Sequence, residues 1–398
     1  MAPAAPASVR PVVAFVDIEP WEAFLQFAAA LRRRGVSVER LTSADRSMIR
    51  RVNDLLQRPV FQRIHPLVVR SGSGEVVADQ LPVQWLAGVR AVEAVDVMAA
   101  ALASVHALPP RTAAPELEPL LLDKLAMTRY ARDLGLAAPA TWAAEEEHPL
   151  SPPFVVKPRL GAGGTGVVVV TDVATATRVR DEARAEPGLL LCQEWAPGEL
   201  LHVAGVARQG ELLQAACYRD VGAPRTPFGP PAEILTFDDP RTLEETTRLM
   251  ESLGYTGAFC LDYVRASDGR ALLVDFNARI FGAWAALQTA GLDLVGAYVH
   301  AWGMSPDAPT GAARPDVRLR VLPADMSLAG AEALGAVLLD HLRDVLAHVG
   351  LLGARWAFST SCRLVSAAVV QAARRAVRHG RARGPCGGLP GSRPEGGS

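Results

Sequence analysis

The chain has no excess of charge of either sign: 41 Lys+Arg stand against 42 Asp+Glu, a formal net charge of −1. That balance leaves no general field to draw it to nucleic acid or to an anionic membrane, so a small-molecule substrate is expected. Cysteine is scarce. The five present (Cys192, Cys217, Cys260, Cys362, Cys386) are odd in number and form no Cys-x-x-Cys pair, and most sit in apolar runs. This points to reduced core thiols rather than a disulfide framework or a zinc site. No apolar stretch reaches the ~20 residues needed to cross a bilayer, and Met1–Ser8 has no basic segment followed by an apolar one. A soluble, cytoplasmic protein without a secretion signal is expected. Internal repeats are not seen.

The 398 residues, 49% of them hydrophobic, suffice for two or three compact domains. An apolar β-branched run over Pro11–Ile18, helical spacing over Trp21–Arg34 stopped by Gly35, and a run over Val36–Leu41 predict a β-α-β opening. A helix is predicted over Ala91–Val105, before the Pro109-Pro110 break. Beyond it come a helix over Leu122–Leu134, a strand over Phe154–Lys157, a helix over Ala174–Ala185, and strands over Leu189–Glu194, His202–Arg208 and Glu211–Arg219. Thr242–Leu253 reads as a helix, and Ala258–Arg265 and Arg270–Phe276 as a hairpin turning at Asp268-Gly269. Leu294–Gly303, Leu328–Leu351 and Val365–His379 read as helices, and the Gly/Pro/Arg-rich tail from Gly380 as disordered.

Three constellations carry chemistry. In Phe154-Val-Val-Lys157-Pro158 followed by Gly161-Ala-Gly163-Gly164-Thr-Gly166, a strand ends in a lysine and a flexible loop follows. Backbone N–H groups of such a loop can close around phosphate oxygens while the lysine supplies charge; a hairpin turn that merely uses glycine would look the same. It is neither a Walker A loop nor a Rossmann fingerprint, since more strand follows it. In Gln193-Glu194-Trp195-Ala196-Pro197-Gly198-Glu199 an apolar strand runs into an acidic hinge, whose edge can pair with an adenine and whose carboxylate can take ribose hydroxyls. Alone it would read as a surface turn. The third is Asp262 with Asp275-Phe-Asn277-Ala-Arg279. Strand alternation places Asp275, Asn277 and Arg279 on one face. Two carboxylates and an amide oxygen there suit magnesium; a solvated hairpin face is the plainer reading, at odds with the apolar run around it.

This order of motifs resembles the ATP-grasp superfamily over roughly Leu122–Gly303, and most the carboxylate–amine (carboxylate–thiol/amine) ligase branch. The resemblance implies an α/β and α+β architecture: an N-terminal Rossmann-like pre-ATP-grasp domain (1–112), an ATP-grasp small lobe with a glycine-rich lid (113–195), a large lobe with the metal site (196–310), a mostly helical extension (311–380) and a disordered tail (381–398). It also implies roles. Lys124 and Lys157 would contact nucleotide phosphates, with Gly161, Gly163, Gly164 and Gly166 closing over them. Glu194 and Ala196 would edge the adenine, and Glu199 would hold the ribose. Asp262, Asp275 and Asn277 would bind magnesium, or manganese in its stead, while Arg279 and Lys157 would serve catalysis.

The implied reaction transfers the ATP γ-phosphate to a substrate carboxylate and lets an amine attack the acyl phosphate. Its substrates would be a small-molecule carboxylate and an amine, with no nucleic-acid or membrane partner, in a homodimer. Arg219 and Arg225, in a Pro/Gly-rich stretch, suit a substrate carboxylate or are solvated loop arginines. His202 and His300 read as satisfied strand and helix histidines. The family usually has Glu at position 275 and Pro at position 278, where this chain has Asp and Ala, and some members have an oxyanion-binding arginine at position 260, where this chain has cysteine. Carboxylase-type activation, and a nucleotide-binding module without catalysis, are the alternatives.

Overall fold

The computed structural model describes residues 11–17, 21–43, 48–72, 75–79, 88–95, 115–221, 228, 231, 233–321, 343 and 345–362. β1 (Val12–Asp17) and β2 (Ser37–Ser43) pair in parallel across α1 (Glu22–Arg33). One face of α1 buries Phe24, Phe27, Ala28 and Leu31, and Gly35, at φ +80°, makes the left-handed turn into β2. After α2 (Met48–Gln57) come β3 (Arg63–Gly72), β4 (Glu75–Asp79) and β5 (Val89–Ala94), giving a five-stranded sheet ordered β4-β3-β2-β1-β5.

The helix read over 91–105 is corrected here. Residues 91–94 lie in β5, parallel to β1 and almost entirely buried. A run covered on both sides lacks the alternation that marks a half-exposed strand. The rest of that segment, 96–105, lies outside the described residues.

A second unit opens with α3 (Glu118–Leu122) and α4 (Lys124–Asp133). The helix expected over Leu122–Leu134 is α4, and it starts at Lys124 because the extended backbone of Asp123 lets its carboxylate accept from Leu125 N and cap it. β6 (Thr141–Ala143), β7 (Phe154–Pro158), β8 (Val168–Val170), α5 (Val173–Ala185) and β9 (Leu190–Glu194) follow. Their four-stranded antiparallel sheet, ordered β6-β9-β7-β8, has its own small core of Phe154, Val156, Val170, Ala183 and Cys192.

The largest sheet combines β10 (Glu199–Arg208), β11 (Glu211–Asp220), β12 (Glu233–Phe237), β13 (Gly257–Arg265), β14 (Ala271–Asn277) and β15 (Arg318–Arg320) in the order β14-β13-β10-β11-β12-β15. It therefore continues past residue 310. Helix α6 (Pro240–Leu253) ends at Gly254 in the left-handed region, and α7 (Trp284–Thr289) and α8 (Leu294–Ala301) follow β14.

Alternation along β13 sorts the layers. Phe259, Leu261 and Tyr263 join a core with Met127, Leu249 and Leu253 of α4 and α6. On the opposite face, Ala258 and Cys260 join a core shared with Phe15, Phe24 and Phe27 of the N-terminal unit and with Trp284 and Tyr298. Residues 345–352 and 354–362 are helical, and this segment docks on α1: Trp356 is buried and its Nε1 donates to Glu22 Oε1 at 3.2 Å. The helix read over Val365–His379 and the tail lie outside the described residues. Cys192, Cys217, Cys260 and Cys362 are free thiols, and Cys386 lies outside. No helix among the described residues is long and apolar enough to cross a membrane.

Candidate active site

Lys124 and Lys157 come from different elements and meet over β14. Lys124 opens α4, and its Nζ donates to Asp275 Oδ1 at 2.9 Å and to Gly161 O at 2.8 Å. Lys157, near the end of β7, is buried and donates to Val274 O at 2.6 Å. That carbonyl is free because Tyr263 pairs with Leu273 while Asp262 pairs with Asp275, so Val274 is left over at a bulge. Burial pushes the Lys157 ammonium down to about 8, and neighbouring Lys124 works in the same direction, against the attraction of Asp275 and Asp262. Two ammonium groups set beside one another, one of them buried, form a site that favours added negative charge.

The glycine loop lies beside them. Gly161, Gly163, Gly164 and Gly166 all have positive φ, at +135°, +67°, +71° and +77°, which explains why the loop tolerates little else. At Gly164 a side chain would also run into the Phe228 carbonyl. A cavity of about 280 Å³ opens here, lined by Lys124, Lys157, the loop, Glu194 to Ala196, Asp262 and Asp275.

Asp262, Asp275 and Asn277 converge as the hairpin register requires, for Asp262 is opposite Asp275 and Cys260 opposite Asn277. Asn277 Nδ2 donates to Asp262 Oδ2 at 3.3 Å, while its amide oxygen accepts from Arg279 Nη2 at 2.9 Å. His202 of β10 lies opposite Asp262, and its Nδ1 is 2.8 Å from Asp262 Oδ1 and its Nε2 3.0 Å from Asp220 Oδ1. It is satisfied, as the sequence suggested, yet it touches a candidate metal carboxylate, which spacing alone could not show. Burial would lower the His202 pKa, but the two carboxylates outweigh it and hold it well above the usual value. Burial likewise works to raise the Asp262 carboxyl, and is outweighed by the His202 hydrogen bond and the charges of His202, Lys124 and Arg279, which hold it low.

Arg279 leads away from the small lobe. It is buried, its Nη1 donates to Ile280 O, and its guanidinium lies 4.9 Å from the ring centre of Trp21, at the start of α1. Next to it, Ile280 N donates to the buried carboxylate of Glu93 in β5 at 2.8 Å. Neither Trp21 nor Glu93 carries any local motif signal; their role in this wall comes from tertiary packing.

The acidic hinge divides. Glu194 and Ala196 line the cavity, where Glu194 Oε2 accepts from Ala140 N at 3.2 Å. Glu199 does not line it; its exposed carboxylate accepts from Arg219 Nη1 at 2.7 Å across β10 and β11. Arg225 lies outside the described residues. His300 Nε2 is 3.0 Å from Arg208 Nη1, away from the cavity.

Residues 121–283 match the family described as the ATP-grasp domain, a span that contains both lysines, the glycine loop and the acidic hairpin. This segment is an ATP-grasp domain. No curated protein matches the chain in sequence. Among solved structures, the L-amino acid ligase from Bacillus licheniformis superposes with a TM-score of 0.55 at 16% identity, covering 76% of each chain. The carboxyaminoimidazole ribonucleotide synthase from Aspergillus clavatus, complexed with ATP, gives 0.57 at 14% identity over 77% of this chain and 80% of that one. An N5-carboxyaminoimidazole ribonucleotide synthetase from Thermus thermophilus gives 0.55 at 14%, over 86% and 98%. These likenesses are of fold, and they extend beyond the ATP-grasp domain into the N-terminal unit.

Proposed function

We propose that the chain is an ATP-dependent ligase that activates a substrate carboxylate as an acyl phosphate and couples it to an amine, an amino acid or small peptide, releasing ADP and phosphate. The observation that carries this reading is the convergence, in one cleft, of two lysines, a glycine loop and an acidic hairpin ending in a buried arginine.

The residues suit the groups this chemistry needs. Lys124, Lys157 and the N–H groups of the glycine loop would hold the phosphates, with Glu194 and Ala196 at the adenine edge. Asp262, Asp275 and Asn277 would hold magnesium, or manganese, through oxygen. Bound nucleotide and metal would supply the phosphoryl group that converts a carboxylate oxygen into a leaving group. Arg279, aimed from the end of β14 toward the N-terminal unit, would stabilise negative charge developing on that carboxylate. Closure of the glycine loop would keep water from the activated acyl group. Arg219, and Arg225 beyond the described residues, remain the candidates for orienting the organic substrate.

Two of the three solved structures named above are carboxyaminoimidazole ribonucleotide synthetases, so carboxylase-type activation, with bicarbonate as the carboxylate, is the second reading. Incubation with ATP and magnesium, with pooled amino acids and carboxylic acids and in parallel with labelled bicarbonate and pooled amines, with product masses recorded, tests both. ADP release with a product lighter by water than the sum of its two precursors supports the amide ligase. Incorporation of labelled bicarbonate instead supports carboxylation, and ATP binding without turnover in either pool overturns both.

A further inference from the structure

On the face of the large sheet that looks toward the N-terminal unit, five polar side chains from three adjacent strands are packed together: His202, Tyr218, Asp220, Cys260 and Asp262. Register makes them neighbours, with His202 opposite Tyr218 on one side and opposite Asp262 on the other. We propose that His202, Cys260 and Asp262 form a binding site for a borderline divalent cation of the zinc or cobalt kind, distinct in chemistry from the magnesium site although it shares Asp262 with it.

The donor set argues for such an ion. A ring nitrogen of His202, Cys260 Sγ and an Asp262 oxygen all lie within 4.8 Å of one another. An imidazole and a thiolate are poor partners for magnesium and good ones for zinc or cobalt, which accept N, S and O donors in a tetrahedral arrangement. With bond lengths of about 2.0–2.3 Å, adjacent donors around such an ion stand about 3.3–3.7 Å apart. Cys260 Sγ is already 3.7 Å from Asp262 Oδ1. His202 Nδ1 is 2.8 Å from the same oxygen, so that pair has to open by about half an ångström. A proton shared between Nδ1 and Oδ1 and a cation ligated by both are alternative occupants of one place.

The surroundings have the form that orients metal ligands. Asp220 accepts from His202 Nε2 at 3.0 Å, which fixes the ring with Nδ1 facing Asp262. The Tyr218 ring stacks on the imidazole at 4.7 Å, and its hydroxyl is 3.4 Å from Cys260 Sγ. His202 and Cys260 are buried, and Asp262 alone of the three lines the cleft. Three protein donors and a fourth position facing the cleft match a site that keeps one place for solvent or substrate. Asp262 Oδ2, held by Asn277, stays available to magnesium, so the carboxylate would bridge the two ions.

The test uses the full chain, stripped with chelator and titrated with Co2+ alone, without nucleotide, so that it does not depend on the ligase reading. The expected result is one equivalent of Co2+ with a thiolate-to-cobalt charge-transfer absorption, displaced by Zn2+ but not by excess Mg2+. Cys260→Ser should abolish the band, Cys192→Ser should keep it, and Asp220→Asn should weaken Co2+ binding about 10–100-fold. Absence of the band in the folded wild-type chain, or its survival in Cys260→Ser, overturns the proposal. Should Cys260→Ser not fold, His202→Gln gives the same two outcomes. Magnesium-dependent ATP binding, measured on the same preparations, reports on the nucleotide cleft separately.

Discussion

The C-terminal end of β14 meets two walls, and they are built differently. At Asp275 it meets the small lobe through Lys124 and, one residue earlier, through Lys157 on the Val274 carbonyl. At Arg279 it meets the N-terminal unit, where Trp21 covers the guanidinium and Glu93 holds the next backbone amide. The first wall is made of charged groups aimed into a cavity, so its members can answer to a ligand's phosphates. The second is made of a ring and a buried carboxylate that fix one arginine in place. A charged wall should fail through chemistry, and a packed wall through positioning.

Breaking the charged wall should have the largest effect. Lys157→Ala should lower phosphate release about 10²–10³-fold, as loss of a positioned charge on a transferring group does, with the fold retained by circular dichroism. Turnover like that of the wild type would remove Lys157 from the site. Asp275→Asn follows, because it deletes a candidate metal charge and also leaves Lys124 without its carboxylate. Metal affinity should fall at least about tenfold, read as a shift of the magnesium concentration giving half-maximal turnover.

Trp21→Ala sharpens the contrast. A cation–π contact contributes about 0.5–2 kcal/mol, so kcat should fall about 2- to 30-fold while ATP affinity is unchanged, and Trp21→Phe should recover much of the loss. An effect on ATP affinity equal to that on kcat would show that the two walls are not separable. The charged wall alone should respond to alkali. The buried Lys157 ammonium, pushed down to about 8, loses its proton as pH rises through that value, whereas binding of phosphate requires it charged. ATP affinity by calorimetry should therefore be steady below pH 8 and fall above it, and Lys157→Arg should flatten the profile. The smallest change is expected from Glu199→Gln, whose carboxylate already pairs with exposed Arg219. Exposed pairs contribute about 0–1 kcal/mol, and a large loss of ATP affinity there would instead support the ribose role.

The hairpin and the glycine loop were legible because their information is local. Strand alternation and a turn at Asp268-Gly269 put Asp262 and Asp275 on adjacent strands, and the structure pairs them. Four glycines in one short loop needed positive φ, and all four have it. Legibility ended where elements distant in sequence meet. β5 was read as helix because a strand buried on both sides loses its alternation. The short helix α3 before the Asp123 cap went unread, since five residues are too few to show a helical period.

The amino-acid sequence by itself determined the order of motifs, the faces on which charged residues sit and the ATP-grasp domain between residues 121 and 283, since each depends on spacings of a few residues. Tertiary structure alone decided that Val274 is bulged out to receive Lys157, that His202 and Cys260 flank Asp262, that Trp21 and Glu93 hold the end of β14, and that Trp356 closes on α1. Apart from Cys260 and Asp262, which alternation on one strand already puts on the same face, those contacts join residues tens to hundreds of positions apart, and they are set by strand register and by the burial of shared apolar faces, which no local pattern encodes.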